Sequence, residues 1–248
     1  MDFLHVVILS VVEGLTEFLP ISSTGHLILT SELLGIGTTE FTKTFEIAIQ
    51  LGAIMSVVVL YFKKLTDLAL LTKLAVAFLP TAIVGFVLYP FIKGFLLESS
   101  GVTLWALLLG GMVLISFKKD NAKTKQLGIK DAFIIGVFQS ASVVPGVSRA
   151  AATIIGGLFS GLNRKTATEF SFLLAVPTMF AATGYDLYKS SGILNSQNLP
   201  VLASGFILSF IFAAIAVKFF VNYVKSHDFK IFGIYRILLA LAFWVFVK

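Results

Sequence analysis

Two carboxylates begin the stretch of this sequence that is richest in reactive side chains, EGLTEFLPISSTGH at positions 13–26. Glu13 and Glu17 are four residues apart, so on a helix they share one face. Neighbouring carboxylates suit a hard divalent cation or an acid–base pair. Apolar runs flank the stretch on both sides, and carboxylates in such surroundings are usually functional. We therefore predict that this pair takes part in binding or catalysis.

Two serines and a histidine follow the carboxylates directly. Ser22 and Ser23 come after Pro20, which ends the first helical arm. A serine at a helix start caps backbone N–H groups, and the helix start itself attracts anions. His26 comes next and could transfer protons. Either serine could also be a helix cap and nothing more, so the sequence leaves that choice open.

A second stretch, QSASVVPGVSRAAAT, repeats this design with the opposite charge. Arg149 is suited to bidentate contact with phosphate, and at membrane depth it needs an anionic partner, either a carboxylate or a ligand phosphate. Ser148 begins a half-helix, Thr153 adds a hydroxyl one turn later, and Gln139 takes roughly the place of Glu13. The two stretches together predict a site for a phosphate or pyrophosphate, with a metal at the carboxylate pair.

The composition places these groups in a membrane. The chain has 248 residues, of which 57% are hydrophobic and 13% are charged, whereas soluble proteins carry about 25% charged residues. The net charge is +6, but the lysines fall in short loops between apolar spans, which indicates membrane topology rather than a nucleic-acid surface. The absence of cysteine excludes disulfides and thiolate metal sites.

Hydropathy predicts an all-α, polytopic protein that forms one integral membrane domain. Six stretches approach the ~17–25 residues that cross a bilayer as a helix. They are 45–62, 74–92, 102–117, 170–187, 201–221 and 231–247. Regions 3–34 and 132–162 are apolar but interrupted, and each of their arms spans only about half of a ~30 Å hydrocarbon core. We therefore expect two re-entrant helical hairpins besides the six transmembrane helices.

The two interrupted regions divide the chain into halves, 1–125 and 126–248, and each half is a hairpin followed by three spans. Three crossings per half is an odd number, so the halves should form an inverted-topology repeat. The lysine-rich loops then fall on one side, which should be cytoplasmic, and 118–130 is the linker between the halves. The first hairpin should enter from outside and the second from inside, so that their tips meet near the midplane.

Four segments, VVEGLTEFLPISSTGH, KTFEIAIQLG, PGVSRAAAT and TEFSFLLAVP, resemble the bacterial undecaprenyl-pyrophosphate phosphatases of the bacitracin-resistance family. The resemblance covers essentially the whole chain. It implies removal of the terminal phosphate of undecaprenyl pyrophosphate, which regenerates the lipid carrier for peptidoglycan and other wall polymers. The site residues that it implies are Glu13, Glu17, Ser23, His26, Ser148, Arg149 and Thr153. Ala150 and Ala151 depart from the Ser-Gly usual in the family, which bears on efficiency more than on reaction type.

The mechanism expected from these residues begins with charge neutralisation. Arg149, the two helix starts and a divalent cation, Mg²⁺ or Ca²⁺, held through Glu13 and Glu17 would neutralise the pyrophosphate. The attacking group is either Ser23 or a water, and Glu17 and His26 are the groups that would handle protons.

The remaining expectations concern partners and location. Ser22 and Gln139 should add contacts to the pyrophosphate. The protein should lie in the bacterial cytoplasmic (inner) membrane with its active site facing outside, because the reactive groups of the first hairpin enter from that side. We expect bacitracin to compete for the lipid substrate. We do not expect nucleic acid to be a partner, and the sequence leaves open whether the protein forms a homodimer. The alternative function is a flippase that passes polyprenyl phosphate across the membrane, since inverted repeats and broken helices are also typical of secondary transporters.

Overall fold

The computed structural model describes residues 1–36, 39–96, 99–117, 125–189 and 198–246. In these ranges the chain is helical and contains no β-strand, which confirms the predicted all-α class. The helices are α1 Phe3–Thr16, α2 Ser23–Leu33, α3 Glu40–Leu60, α4 Phe62–Leu65, α5 Leu68–Val87, α6 Tyr89–Phe91, α7 Ser100–Ser116, α8 Ile129–Gln139, α9 Arg149–Phe159, α10 Arg164–Lys189, α11 Leu199–Tyr223 and α12 Lys230–Phe246.

Each of the six stretches predicted to span the membrane overlaps a helix, namely α3, α5, α7, α10, α11 or α12. Within the described chain, three helical segments are long and apolar enough to cross a membrane: Phe41–Leu60, Leu68–Val87 and Leu199–Tyr223. Large apolar side chains also point outward, such as Phe86 at 85% exposure and Leu68 at 77%. An outer surface of this kind suits contact with lipid tails.

Two boundaries differ from the sequence prediction. The predicted span 74–92 runs too far, because α5 ends at Val87 and Pro90, which has no N–H to donate, lies at the start of the separate short helix α6. A π-helical turn, Ile92–Leu96, follows it. Residues 118–124 of the predicted linker lie outside the described ranges, and the end of that linker already belongs to α8.

Each interrupted region folds as two short helices in contact, α1 with α2 and α8 with α9. A glycine lets the first helix of each pair approach the backbone of a long helix in the other half of the chain. At Gly14 of α1, a Cβ would lie 2.6 Å from the carbonyl oxygen of Ser209 in α11. Gly136 of α8 packs in the same way against Ala77 of α5. Small residues permit this close approach, which places the first helix of each hairpin beside a long helix of the other half.

The turn of the first hairpin is anchored in the largest apolar cluster. Phe18 packs edge-on against Phe172 of α10, with ring centroids 5.4 Å apart. Phe172 in turn contacts Phe220 of α11, and all three rings are fully buried. The residues adjacent to Phe18 are therefore held in a packed core and not on a free loop.

Candidate active site

The turn between α1 and α2 contains a strained serine. Ser22 has φ 71° and ψ 93°, and it is the only non-glycine residue with positive φ in the described ranges. Such a backbone costs about 1–3 kcal/mol and is found mainly at functional sites. The Ser22 hydroxyl accepts a hydrogen bond from the backbone N–H of Gly25 at 3.4 Å and so caps α2. This turn makes Ser23 the first residue of α2, close to the end of α1.

Glu17 connects the two hairpins. Its Oε2 accepts a hydrogen bond from the Ser23 hydroxyl, and its Oε1 accepts one from Nη2 of Arg149 at 3.1 Å. The side chains of Glu17 and Arg149 are only 7% and 9% exposed, so the ion pair is largely withdrawn from water. In this structure the anionic partner of the arginine is therefore a carboxylate. A carboxylate that holds a serine hydroxyl also has the geometry of a general base.

Arg149 has two further contacts that fix its guanidinium. Nη1 donates to the carbonyl oxygen of Ser171 in α10 at 3.0 Å. The guanidinium carbon lies 5.7 Å from the centre of the Phe18 ring, within cation–π distance. The buried Nε has no hydrogen-bond partner among the described residues. Arg149 is thus held in place with one N–H group unused.

Ser148 links the start of α9 to the first hairpin. Its hydroxyl accepts a hydrogen bond from the backbone N–H of Ala151 at 3.2 Å, so that Ser148 is the N-cap of α9. The same hydroxyl donates to the carbonyl oxygen of Leu19 at 3.4 Å. The positive end of the α9 dipole therefore coincides with Arg149, and this combination attracts an anion.

A cavity of about 740 Å³ adjoins these residues. Part of its wall is polar and consists of Glu17, Ser22, Ser23, Thr24, Ser148 and Arg149. Another part, formed by α5 and α10, is apolar and includes Phe78, Ala82, Phe86, Met179 and Ala182. Such a cavity can hold a ligand with an anionic head and a hydrocarbon tail.

Glu13 lies one helical turn before Glu17 and has no exposed surface. Neither of its carboxylate oxygens has a hydrogen-bond partner among the described residues. The charged side chains around it are Glu17, Glu46 and Arg149. Buried carboxylate oxygens without partners, beside a second carboxylate, fit the ligand chemistry of a divalent cation. The described part of the chain contains no cluster of three metal-binding side chains, so further oxygens would have to come from substrate or water.

His26 is directed toward α12. Its Nδ1 lies 2.7 Å from the carbonyl oxygen of Ser22, and its Nε2 lies 2.7 Å from the Tyr235 hydroxyl. Because a carbonyl only accepts, Nδ1 carries the proton, and in the neutral ring Nε2 accepts from Tyr235. His26 also does not line the cavity. The structure therefore bonds this predicted proton-transfer residue to Ser22 and Tyr235, and not to Ser23 or Glu17.

Thr153 and the two alanines face the protein interior. The Thr153 hydroxyl lies 2.8 Å from the carbonyl oxygen of Arg149 and 2.6 Å from the Ser171 hydroxyl, so it fastens α9 to α10. Ala150 and Ala151 are 0% and 5% exposed in the apolar core. Neither alanine is among the residues that line the cavity.

Gln139 supports the cavity wall from behind. Its Nε2 donates to the Thr81 hydroxyl at 3.0 Å, and its Oε1 accepts from the Thr178 hydroxyl at 3.4 Å. Gln139 itself is fully buried, whereas both threonines line the cavity. Its predicted contact with a pyrophosphate would therefore have to pass through these hydroxyls.

The sequence assigns no catalytic or binding role to three residues that contribute to this arrangement: Ser171, Tyr235 and Arg236. Ser171 lies in the family-like segment TEFSFLLAVP, but the resemblance gives it no role, and Tyr235 stands in an apolar helix where nothing signals its contact. Arg236 does carry a signal, since an ionisable residue within a membrane helix is usually functional. The sequence alone leaves it either extending to the membrane surface or pairing. The structure buries it and bonds it to backbone carbonyl groups.

Comparison with known proteins adds a family relationship. Residues 6–242 match the model of a family described as bacitracin resistance protein BacA. The chain is 56% identical to the undecaprenyl-diphosphatase of Aquifex aeolicus over 247 residues, which cover 97% of this chain and 96% of the relative. It is 52% identical to the undecaprenyl-diphosphatase of Wolinella succinogenes, with 98% and 97% covered. The enzyme of the same name from Persephonella marina is 51% identical, with both chains covered completely.

Proposed function

Because the chain belongs to the bacitracin resistance protein BacA family, we propose that it is an undecaprenyl-diphosphatase, which hydrolyses undecaprenyl diphosphate to undecaprenyl phosphate and inorganic phosphate. The observation that carries the proposal is the contact of Glu17 with both Ser23 and Arg149. It supports the proposal because Ser23, Glu17 and Arg149, which would act as nucleophile, proton acceptor and phosphate-binding cation, are in contact at the cavity. By recycling the lipid carrier, this reaction serves cell-wall synthesis and confers bacitracin resistance, since bacitracin competes for the same lipid.

The substrate would bind with its two ends in different parts of the cavity. The diphosphate lies at the polar wall, where Arg149 offers its guanidinium and the start of α9 offers backbone N–H groups. Ser22 and Ser148 add hydroxyls. The prenyl chain follows the apolar wall between α5 and α10 toward the surrounding lipid, because each buried CH₂ contributes about 0.8 kcal/mol.

The reaction proceeds by attack of the Ser23 hydroxyl on the terminal phosphorus. Glu17 takes the hydroxyl proton, the bond between that phosphorus and the bridging oxygen breaks, and undecaprenyl phosphate leaves. A water then attacks the phosphoserine, Glu17 returns its proton to the serine oxygen, and inorganic phosphate is released. The hydrogen bond from Ser23 to Glu17 favours this order over direct attack by water, in which Ser23 would only position the phosphate.

A divalent cation, Mg²⁺ or Ca²⁺, would be held by Glu13 and Glu17 together with substrate oxygens. The support for it is the pair of Glu13 oxygens that have no hydrogen-bond partner among the described residues. When bound, it would supply charge neutralisation for the diphosphate. The protein residues position the diphosphate in either case, since phosphoryl transfer depends mainly on positioning and electrostatic stabilisation.

The protein is a membrane protein with apolar helices, and we propose the finer topology of six spans and two re-entrant hairpins in an inverted repeat of 1–125 and 126–248. The packing of the two hairpins supports the repeat. Gly14 in the first hairpin contacts a helix of the second half, and Gly136 in the second hairpin contacts a helix of the first half. Matching these two glycines pairs Glu17 with Gln139, each three residues further on. This pairing differs by about one turn from the match of Gln139 with Glu13 suggested by the sequence.

The proposed location is the bacterial cytoplasmic membrane, with the site open to the outside. Support comes from the lysine distribution and from the position of the first hairpin. The chain has no cysteine, so single cysteines at the exposed Glu32 and Ser226 can be labelled separately in intact cells. An impermeant thiol reagent should label the first and not the second. Labelling of both, or of Ser226→Cys alone, would refute the proposed orientation.

The central experiment measures inorganic phosphate released from undecaprenyl diphosphate by purified protein in detergent. Turnover without any membrane gradient is expected for a phosphatase. The comparisons give no support to the flippase alternative, since the related proteins carry the name diphosphatase. Absence of phosphate release from folded protein, with and without Mg²⁺ or Ca²⁺, would contradict the proposed function.

A further inference from the structure

Arg236 of α12 is only 1% exposed, although its helix is apolar apart from Lys230 at its start and Tyr235. All of its hydrogen bonds to the described residues go to backbone carbonyl oxygens. Nη2 donates to Ala106 and Gly146 at 2.9 Å each, Nη1 donates to Pro20 at 3.4 Å, and Nε donates to Leu107 at 3.4 Å. Within the described ranges no carboxylate forms an ion pair with it. A buried charge held only by carbonyl dipoles is expensive, which calls for a functional reason.

The positions of the four acceptors provide that reason. Pro20 lies in the turn of the first hairpin, three residues before Ser23. Gly146 lies in the turn of the second hairpin, three residues before Arg149. The other two acceptors belong to the middle of α7, which is a regular helix. One guanidinium therefore ties both reactive turns to a common support.

The packing of α7 against α12 leaves room for this guanidinium only because Gly110 has no side chain. A Cβ at Gly110 would overlap the guanidinium of Arg236. Gly111, the next residue of α7, faces Gly233 of α12. A Cβ at Gly111 would lie 2.8 Å from the Gly233 carbonyl oxygen, and a Cβ at Gly233 would lie 2.7 Å from the Gly111 carbonyl oxygen. The two helices are thus in backbone contact, and Arg236 cannot retreat from an added methyl group without losing carbonyl acceptors.

We propose that Arg236 is a positioning residue that aligns the two hairpin turns for phosphoryl transfer. It does not line the cavity, so it acts through the backbone of the turns and does not touch the substrate. Through Pro20 it fixes the turn that carries Ser23, and through Gly146 it fixes the turn that carries Arg149. The inference rests on the proposed phosphatase function, because its readout is the rate of that reaction.

The kinetic expectation follows from what the turns carry. The first supplies the nucleophile and its base, and the second supplies the cation that binds phosphate. When the turns shift relative to each other, the substrate is still bound but is attacked from a poorer geometry. A displacement of about 1 Å lowers rates by roughly 100-fold. Arg236→Met should therefore lower kcat by about two orders of magnitude and leave KM nearly unchanged. Arg236→Lys, which keeps the charge but has fewer donors in a different geometry, should be intermediate.

Gly110→Ala tests the same contact from the other side, because it changes neither the arginine nor any of its acceptors. Alanine raises helix propensity, so a loss of kcat would not reflect a weaker α7. Its matched control is Gly184→Ala in α10, where an added Cβ meets no atom within 4 Å. If both changes act on one contact, Gly110→Ala should have little further effect in an Arg236→Met background.

The experiment measures kcat, KM for undecaprenyl diphosphate and melting temperature for the parent and each variant. An active parent, a kcat lowered at least tenfold in folded Arg236→Met and Gly110→Ala, and non-additive losses in the double variant would support the proposal. Parent-like kcat in Arg236→Met would refute it. A raised KM with normal kcat would also refute it, because Arg236 would then be a substrate-binding group. A fall in melting temperature with normal kcat per folded molecule would refute it as well, because Arg236 would then have a structural role only. An inactive parent would instead contradict the proposed function.

Discussion

The buried ion pair of Arg149 and Glu17 predicts a large and specific change in stability. Arg149→Met removes the cation but keeps an unbranched, apolar side chain that replaces the methylene part of the arginine. Glu17, at 7% exposure, would then keep Ser23 as its remaining hydrogen-bond donor. Removal of one partner from a buried pair destabilises a protein by about 3–5 kcal/mol. For a chain of this length that corresponds to a fall in melting temperature of roughly 6–20 °C.

A second substitution separates charge from packing. In the double variant Arg149→Met with Glu17→Gln, no charge is left unpaired, and replacement of a buried pair by neutral side chains is often close to neutral. The double variant should therefore melt near the parent temperature, although it is inactive. Lys64→Met is the matched control, because Lys64 pairs with Glu169 at 49% and 18% exposure. Loss of such an exposed pair should cost less than about 1 kcal/mol.

The assay is thermal unfolding of purified protein in detergent, followed by a probe of tertiary structure. Two results would refute the reasoning. Arg149→Met could melt within about 2 °C of the parent, which would mean that the pair is not withdrawn from water. Alternatively, the double variant could melt as low as Arg149→Met, which would mean that contacts of the arginine with Ser171 and Phe18, and not its charge, stabilise the site.

Three further predictions concern turnover. Ser23→Ala should abolish phosphate release and any acid-stable phosphoserine seen by mass spectrometry after rapid quenching; normal turnover would favour a water nucleophile. Glu13→Gln should raise the Mg²⁺ or Ca²⁺ concentration needed for half-maximal activity, or eliminate turnover, and full activity of this variant in chelator would show that no cation acts at Glu13. Tyr235→Phe removes the hydroxyl bound to His26 and should lower kcat by less than about tenfold, because a neutral hydrogen bond contributes about 0.5–1.5 kcal/mol; a loss as large as that of Ser23→Ala would place His26 in the chemistry.

Much of this site could be predicted because its chemistry is local in the sequence. Glu17 and Ser23 are six residues apart and Ser148 directly precedes Arg149, so the residue types and the chain breaks identify them together. The requirement that an arginine at membrane depth has an anionic partner leaves a carboxylate and a ligand phosphate open, and the structure has the carboxylate of Glu17. The positions of the long helices also follow from hydropathy. An apolar stretch in a membrane has to form its backbone hydrogen bonds internally, and a helix does so.

The direction in which a side chain points, and its contacts with residues far away in the sequence, could not be predicted in the same way. His26 follows Ser23 by three residues, but its ring bonds to the Ser22 carbonyl oxygen of the preceding turn and to Tyr235, 209 residues away. Arg236 reaches the first turn across 216 residues. Neither contact leaves a periodic pattern, because each depends on how helices from the two halves pack. The sequence shows that these side chains are unusual for a membrane helix and does not show what they touch.

The geometry also explains why the proposed base and the phosphate-binding cation should come from different hairpins. Within one hairpin, a fixed backbone would lock Glu17 to Arg149, and a bound diphosphate would have to compete with a permanent neighbour. Across two hairpins the same contact rests on one hydrogen bond of 3.1 Å, and a charged hydrogen bond of this kind contributes about 1.5–3 kcal/mol. A diphosphate carries more charge than one carboxylate and offers bidentate oxygens, so it can displace Glu17 from the arginine. Glu17 would then be released from the arginine but keep the hydrogen bond that it already accepts from the Ser23 hydroxyl, and it could take up the proton of that hydroxyl.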